Sequence, residues 1–197
     1  MRLLPVGAAA VLVEVESTDE AMALYEAARA SGFAARDIVP AARTVLFDGV
    51  EPSAVASFVA SGVDLSAVAA EGALVEIRTV YDGPDLANTA ELLEMTPDEL
   101  VARHTATTFT VAFCGFAPGF AYCTGLGHSV PRLDSPRPRV EPGSVGLAGE
   151  FTGIYPSPSP GGWRLIGRTD AVLWDPERVS PALLSPGSRV RFVTRGG

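Results

Sequence analysis

Eleven of the 16 prolines and 14 of the 20 glycines in this 197-residue chain lie after residue 110. Proline removes a backbone donor and glycine weakens helix interiors, so that half cannot be built from long helices. Between the breaks lie short, apolar, β-prone runs: "FTVAF", "SVGLAG", "WRLIGR", "AVLW" and "SRVRFV". Many short strands punctuated by turn chemistry predict a β-barrel or sandwich over residues 107–197.

The first eighty residues have another texture. "AAVLVEV" alternates as a strand, and "STDEAMALYEAARASG" opens on the capping pair Ser17 and Glu20 and closes at Gly32. "RDIVP" and "RTVLF" read as two short strands. Pro52 then starts a helix that stops at Gly62, and "ALVEIRTV" ends with Val75 and Ile77 alternating against Glu76 and Arg78. The order βαββαβ predicts a ferredoxin-like α/β domain over residues 1–80, which makes the fold class α+β. Residues 81–106 read as a helical connector. There "YDGPDL" is a turn, Asp85 caps a helix through Met95, and Thr96-Pro97-Asp98-Glu99 is a capping box for a helix ending near His104.

Charge narrows the chemistry. All 15 basic residues are arginine. Without lysine the chain cannot supply a P-loop lysine, a Schiff base, a biotinylated carrier or a Ser-Ser-Lys amidase triad. Residues 1–100 hold 17 acids and 5 arginines, residues 101–197 hold 6 acids and 10 arginines, so anion handling is expected in the second half. A net charge of −8 argues against nucleic acid as a partner. No apolar run approaches the roughly 20 residues of a membrane span, so no membrane partner is expected. The start "MRLLPVGAAAVLVEV" looks superficially like a signal peptide, but Pro5 and Gly7 interrupt it and it runs into Glu14 and Glu16, which points to a cytoplasmic address. The two cysteines, Cys114 and Cys123, and two histidines, His104 and His128, fit no metal-binding spacing, so no metal site is expected.

Three stretches could carry chemistry. In "GFAPGFAY" the Gly, Pro118 and Gly119 dictate a loop path that aims Phe116, Phe120 and Tyr122 into one patch, which is either a binding wall or a plug for the barrel end. "VPRLDSPRPRV" carries Arg132, Arg137 and Arg139 on a proline-stiffened path, suited to gripping a carboxylate or phosphate, or else a solvated loop with surface ion pairs. "TGIYPSPSPGGW" sets Tyr155, Ser157 and Ser159 in an extended, proline-interrupted run. Gly161 and Gly162 then allow close backbone approach to a ligand, and Trp163 offers a flat face. His104 is either a general base or a packing residue at a helix end.

Together "GFAPGFAY..GL", "PR....PR.RV..GSV", "TGIYP..SPGGW.LIGRT" and "YDGPDL" with a helical His resemble the KipI / allophanate hydrolase subunit 1 family, which includes the B subunits of bacterial 5-oxoprolinases. The likeness is strongest from Tyr81 to Thr169. One departure is "VEPGSV" in place of the more usual "VPAGSV", which sets Glu141 beside the arginine loop. The resemblance implies a ferredoxin-like domain followed by a cyclophilin-like β-barrel. It also implies a small lactam substrate, hydrolysis of 5-oxoproline to glutamate driven by ATP with Mg²⁺, and no covalently bound cofactor. The implied partners are the A and C subunits of the same 5-oxoprolinase, the latter of the allophanate hydrolase subunit 2 family, and the chain is expected to be inactive without them. Other members imply two alternatives: a KipI-like inhibitor of a sensor histidine kinase, and a carboxyltransferase-like half of a urea carboxylase or allophanate-type complex. For the hydrolase, Arg132, Arg137, Arg139 and Arg168 are the expected anion contacts and His104 the base. Phe116, Phe120, Tyr122 and Trp163 form the wall that excludes solvent, with Gly161 and Gly162 as amide donors.

Overall fold

The structure, a computed structural model of the chain, describes residues 1–64 and 72–195. It divides into two compact units, Met1–Glu71 and Gly72–Gly197.

The first unit contains β1 (Arg2–Pro5), β2 (Ala10–Glu14), α1 (Thr18–Ala30), β3 (Asp37–Pro40), β4 (Thr44–Asp48) and α2 (Pro52–Ala60). Helix α1 starts where the sequence marks it: the Ser17 hydroxyl accepts from the Glu20 amide at 3.2 Å, which satisfies one of the orphan donors of the first turn. The four strands form one antiparallel sheet in the order β1-β2-β4-β3. Alternation along β2 and β4 turns Val11, Val13, Val45 and Phe47 inward, and Phe47 meets Phe33 edge-on at 5.2 Å. The run 73–80 is not in this sheet, contrary to the βαββαβ reading. The edge beside β2 is taken by β1, which closes a hairpin through the Val6 amide to the Ala10 carbonyl at 2.8 Å. A hairpin partner a few residues away forms with little loop-closure cost, and it leaves the later run free to pair elsewhere.

That run is β5 (Leu74–Thr79), and it opens the second unit. It is followed by α3 (Leu86–Leu92), α4 (Pro97–Ala106), β6 (Thr108–Cys114), β7 (Ala121–Thr124), β8 (Arg137–Val140), β9 (Ser144–Ala148), β10 (Phe151–Ile154), β11 (Ser159–Gly161), β12 (Arg164–Arg168) and β13 (Arg189–Thr194). Seven strands form one sheet in the order β12-β9-β10-β7-β6-β13-β5. Its last pair is parallel, Leu74 opposite Arg189 through Thr79 opposite Thr194. The two ends of the sheet then meet: Val80 and Arg168 exchange both backbone hydrogen bonds at 2.8 Å, so the sheet curls into a nearly closed barrel. Helix α4 packs on β13 and on α3, and α3 packs on β12, so residues 81–106 belong to this unit instead of forming a separate connector. The expected boundary at residue 80 moves to the junction of the two units.

Inside the barrel Phe109, Phe192, Leu147, Ile166, Val111 and Val190 are almost wholly buried. Each contributes roughly 1.5–3 kcal/mol through removal of apolar surface from water. The expected strand "AVLW" does not form. Only Trp174 makes an isolated bridge, to Ala182, and Val172 is exposed. Asp85 is also not the side-chain cap it was expected to be. It stands at the N-cap position of α3, but its carboxylate turns away from the helix.

Candidate functional site

The octapeptide 115–122 connects β6 to β7 by a tight path. The Ala117 amide donates to the Gly115 carbonyl at 2.8 Å, a three-residue γ-turn centred on Phe116, and the Phe120 amide donates to the Ala117 carbonyl at 2.9 Å. Phe116 therefore has φ of 68°, a left-handed backbone that an aromatic residue adopts at a cost of about 1–3 kcal/mol. Gly119, at φ of 86°, lies so close to the Leu173–Trp174 backbone that an added Cβ would stand 2.9 Å from Trp174 Cβ, which fixes the far side of the loop.

The other two stretches meet in one antiparallel ribbon. Strand β8 pairs with β11, Val140 opposite Ser159 and Arg137 opposite Gly161, and the Leu133 amide donates to the Gly162 carbonyl at 2.8 Å. The arginine segment and the Gly-Gly-Trp segment are thus held together by backbone bonds. Both abut an aromatic cluster in which Phe120 meets Trp163 at 5.2 Å, Tyr155 at 5.4 Å and Phe116 at 5.3 Å, with Tyr122 5.6 Å from Trp163. At Gly161 a side chain would land on the Tyr155 phenol, so only glycine lets the ribbon lie against that ring.

A cavity of about 240 Å³ opens between these elements. Its walls are Phe116, Phe120, Tyr122, Tyr155 and Trp163 on the aromatic side and Arg132, Pro136, Pro160, Gly161 and Gly162 on the ribbon side. Arg132 forms no ion pair among the described residues, which leaves its fork of donors available in a cavity lined also by two phenols and by the Gly161–Gly162 backbone. Burial raises the Tyr122 and Tyr155 phenols above their ordinary range while the Arg132 charge pulls both the other way, so both stay neutral donors at physiological pH.

The remaining expected residues lie elsewhere. Arg137 is committed to structure: its Nη2 donates to Asp85 Oδ1 at 2.7 Å and its Nη1 to the Trp163 carbonyl at 3.4 Å, while Asp85 Oδ2 accepts from the Leu165 amide at 2.6 Å. Its role as an anion contact is therefore corrected to that of a latch for the Trp163 segment. Arg139 pairs with Glu141 at 2.7 Å and Arg168 with Asp82 at 2.8 Å, both in water and both neutralised by their own chain. Ser159 does not line the cavity; its hydroxyl is buried in the ribbon.

His104 is corrected most sharply. It is fully buried in the barrel core, where Phe192 lies 4.5 Å and Phe109 4.9 Å away. Its Nδ1 pairs with the Tyr81 hydroxyl at 2.7 Å and its Nε2 lies 3.4 Å from the Thr152 hydroxyl. Burial pushes its pKa down to about 3, and it is absent from the cavity wall, so it is a packing residue without access to a substrate proton. Cys123 is buried and Cys114 half-buried, with burial raising the Cys114 thiol to about 11, which makes it unreactive.

A second hollow of about 410 Å³ lies across the same loop. Cys114, Phe116, Pro118, Gly119, Trp174 and Leu184 are among its lining residues. Pro118 and Gly119, expected to set the path of a substrate-binding loop, line this hollow and not the Arg132 cavity. Neither Pro136 and Pro160 in the first cavity nor Trp174 in the second was anticipated. The two prolines could have been read as ribbon walls, whereas nothing local marks Trp174 as a neighbour of a loop more than fifty residues earlier. Among the described residues no group of three or more His, Cys, Asp or Glu is placed to hold a metal ion.

The chain is 43% identical over 125 residues, 61% of its length, to the 5-oxoprolinase B subunit of Bacillus subtilis, and the match spans about half (52%) of that relative. The crystal structure of TTHA0988 superposes with a TM-score of 0.77 at 33% identity, covering 96% of this chain and 40% of that one. The Kluyveromyces lactis urea amidolyase, at 16% identity and a TM-score of 0.72 over 98% of this chain and 15% of that one, shares the fold. The family model described as "Carboxyltransferase domain, subdomain C and D" matches residues 1–184, and this chain belongs to that family.

Proposed function

We propose that this chain is the B-type component of an ATP-dependent 5-oxoprolinase, and that its barrel cavity holds the lactam. The observation that carries the reading is the meeting of three separate loops around one cavity of about 240 Å³ with an uncompensated guanidinium in its wall. A five-membered lactam bearing a carboxylate matches this chemistry. Arg132 takes the carboxylate as a charge-assisted hydrogen bond, and Phe120, Tyr122 and Trp163 enclose the ring and keep water from it. The neutral phenols of Tyr122 and Tyr155 are donors for the lactam carbonyl. The architecture behind the site is read as a cyclophilin-like barrel. The first unit is read as a ferredoxin-like sheet in which β1 fills the position of the fourth strand.

The chain's own residues do not fit Mg²⁺-ATP. A triphosphate needs several free cations and a carboxylate set for the metal, whereas Arg137, Arg139 and Arg168 are all paired and no such carboxylate set is grouped among the described residues. The nucleotide is therefore assigned to the A and C subunits. The chain supplies substrate binding and orientation. Mixing it with those partners, ATP and 5-oxoproline is expected to yield glutamate, while the chain alone yields none. Full turnover by the isolated chain, or no turnover by the complete mixture, would remove the reading.

A further inference from the structure

Phe116 is the one described residue that lines both cavities, the Arg132 cavity on one side and the hollow floored by Trp174 on the other. The residue is 61% exposed, so it is not held there as core filling. The backbone beneath it adopts a left-handed γ-turn that glycine would occupy without strain, and glycines are already used at positions 115 and 119 of the same loop. A strained aromatic at a turn tip, with glycine the easier choice, indicates that the ring itself is what the position requires. The loop cannot swing it aside freely. Gly119 is wedged against Leu173 and Trp174, and the ring leans edge-on against Phe120 at 5.3 Å and Tyr155 at 6.3 Å.

We propose that Phe116 is a specificity-determining partition: its ring separates the two cavities and limits the Arg132 site to short carboxylates. A ligand whose carboxylate sits on Arg132 shares its cavity with the aromatic wall, of which Phe116 is the member that also lines the second hollow. A compact group fits within the roughly 240 Å³ available, while a longer rigid one must displace the ring to enter the apolar hollow of about 410 Å³ beyond. The substrate class that follows is the free lactam acid, with extended acids refused. This extends the proposed function and rests on it only for the identity of the lactam.

Two tryptophans make the test direct, because Trp163 faces one cavity and Trp174 the other. The probes are 5-oxoproline, benzoate and biphenyl-4-carboxylate, titrated into the full chain and into Phe116→Gly while tryptophan emission is recorded. Trp174→Phe identifies which ring responds. The wild-type chain is expected to bind benzoate at least tenfold more tightly than biphenyl-4-carboxylate, with only Trp163 responding. Phe116→Gly, which suits the left-handed backbone and should melt no lower than Phe116→Leu, is expected to erase that preference and bring Trp174 into the response to the biphenyl acid. Equal wild-type affinity for the two aromatic acids, or a preference unchanged in Phe116→Gly, overturns the partition. A length limit among the aromatic acids without binding of 5-oxoproline keeps the partition and discards the lactam.

Discussion

Replacing Arg137 by alanine distinguishes a latch from a catalytic arginine. In the native chain the Asp85 carboxylate has two partners, the Arg137 guanidinium at 2.7 Å and the Leu165 amide at 2.6 Å, and its side chain is only 11% exposed against 27% for that of Arg137. Removing the arginine leaves a nearly buried carboxylate with one neutral donor. Breaking a fully buried pair in this way costs about 3–5 kcal/mol, and the partial exposure of Arg137 reduces this to about 2–3 kcal/mol. For a unit of this size that is a fall in melting temperature of roughly 10 °C, read by circular dichroism or scanning fluorimetry. Arg139→Ala is the control, since its guanidinium and the Glu141 carboxylate both stand in water, and its melting should match the native chain. In a double-mutant cycle, Asp85→Asn with Arg137→Ala should lose about 1–2 kcal/mol less than the sum of the single losses. Equal melting of Arg137→Ala, Arg139→Ala and the native chain would refute the latch.

His104 gives the chain a pH-dependent stability. Its folded pKa, lowered by burial to about 3, lies below the value of about 6.5 in the unfolded chain, so the unfolded state binds the extra proton in that window. The contribution is fully present above about pH 6.5 and is lost as pH falls toward 3, at most about 1.4 kcal/mol per unit and about 2 kcal/mol by pH 5. Urea melts at pH 7 and pH 5 should show this loss in the native chain but not in His104→Gln; equal losses in both would contradict the buried neutral imidazole. Gly161→Ala drives a methyl group into the Tyr155 phenol and should cost about 1–3 kcal/mol and shift Trp163 emission, whereas an unshifted spectrum would mean that the ribbon does not press on the ring.

Sequence alone revealed what is local. The caps at Ser17 and Thr96, the glycine stops, and four of the eight strands after residue 107 (β6, β9, β12 and β13) follow from spacing that acts over a few residues. The octapeptide was legible as a fixed loop carrying rings, because Gly and Pro restrict φ wherever they stand. What escaped depends on partners distant in the chain. The alternation of Val75 and Ile77 marks a strand but not its neighbour, which is β13, more than a hundred residues later. Arg137 was read as available because only Asp134 and Glu141 lie near the arginine run, and Arg168 was read as a further anion contact from the resemblance. Their carboxylates, Asp85 and Asp82, come from a turn at least fifty residues upstream. His104 sits at the end of a capped helix in sequence, where exposure is the ordinary outcome. Phe109 and Phe192 cover it from two strands, and only the fold brings them there.

Arg132 is proposed to grip the carboxylate of 5-oxoproline, and steady-state kinetics of the chain mixed with the proposed A and C partner subunits test that contact most directly. A carboxylate contact is made equally in the bound substrate and in the transition state, so its loss weakens binding without slowing the chemical step. For a solvent-exposed guanidinium the loss is about 1.5 kcal/mol, or roughly tenfold. Arg132→Ala should therefore raise the KM for 5-oxoproline about tenfold and leave kcat nearly unchanged. An unaltered KM would contradict the account and place the carboxylate outside this cavity.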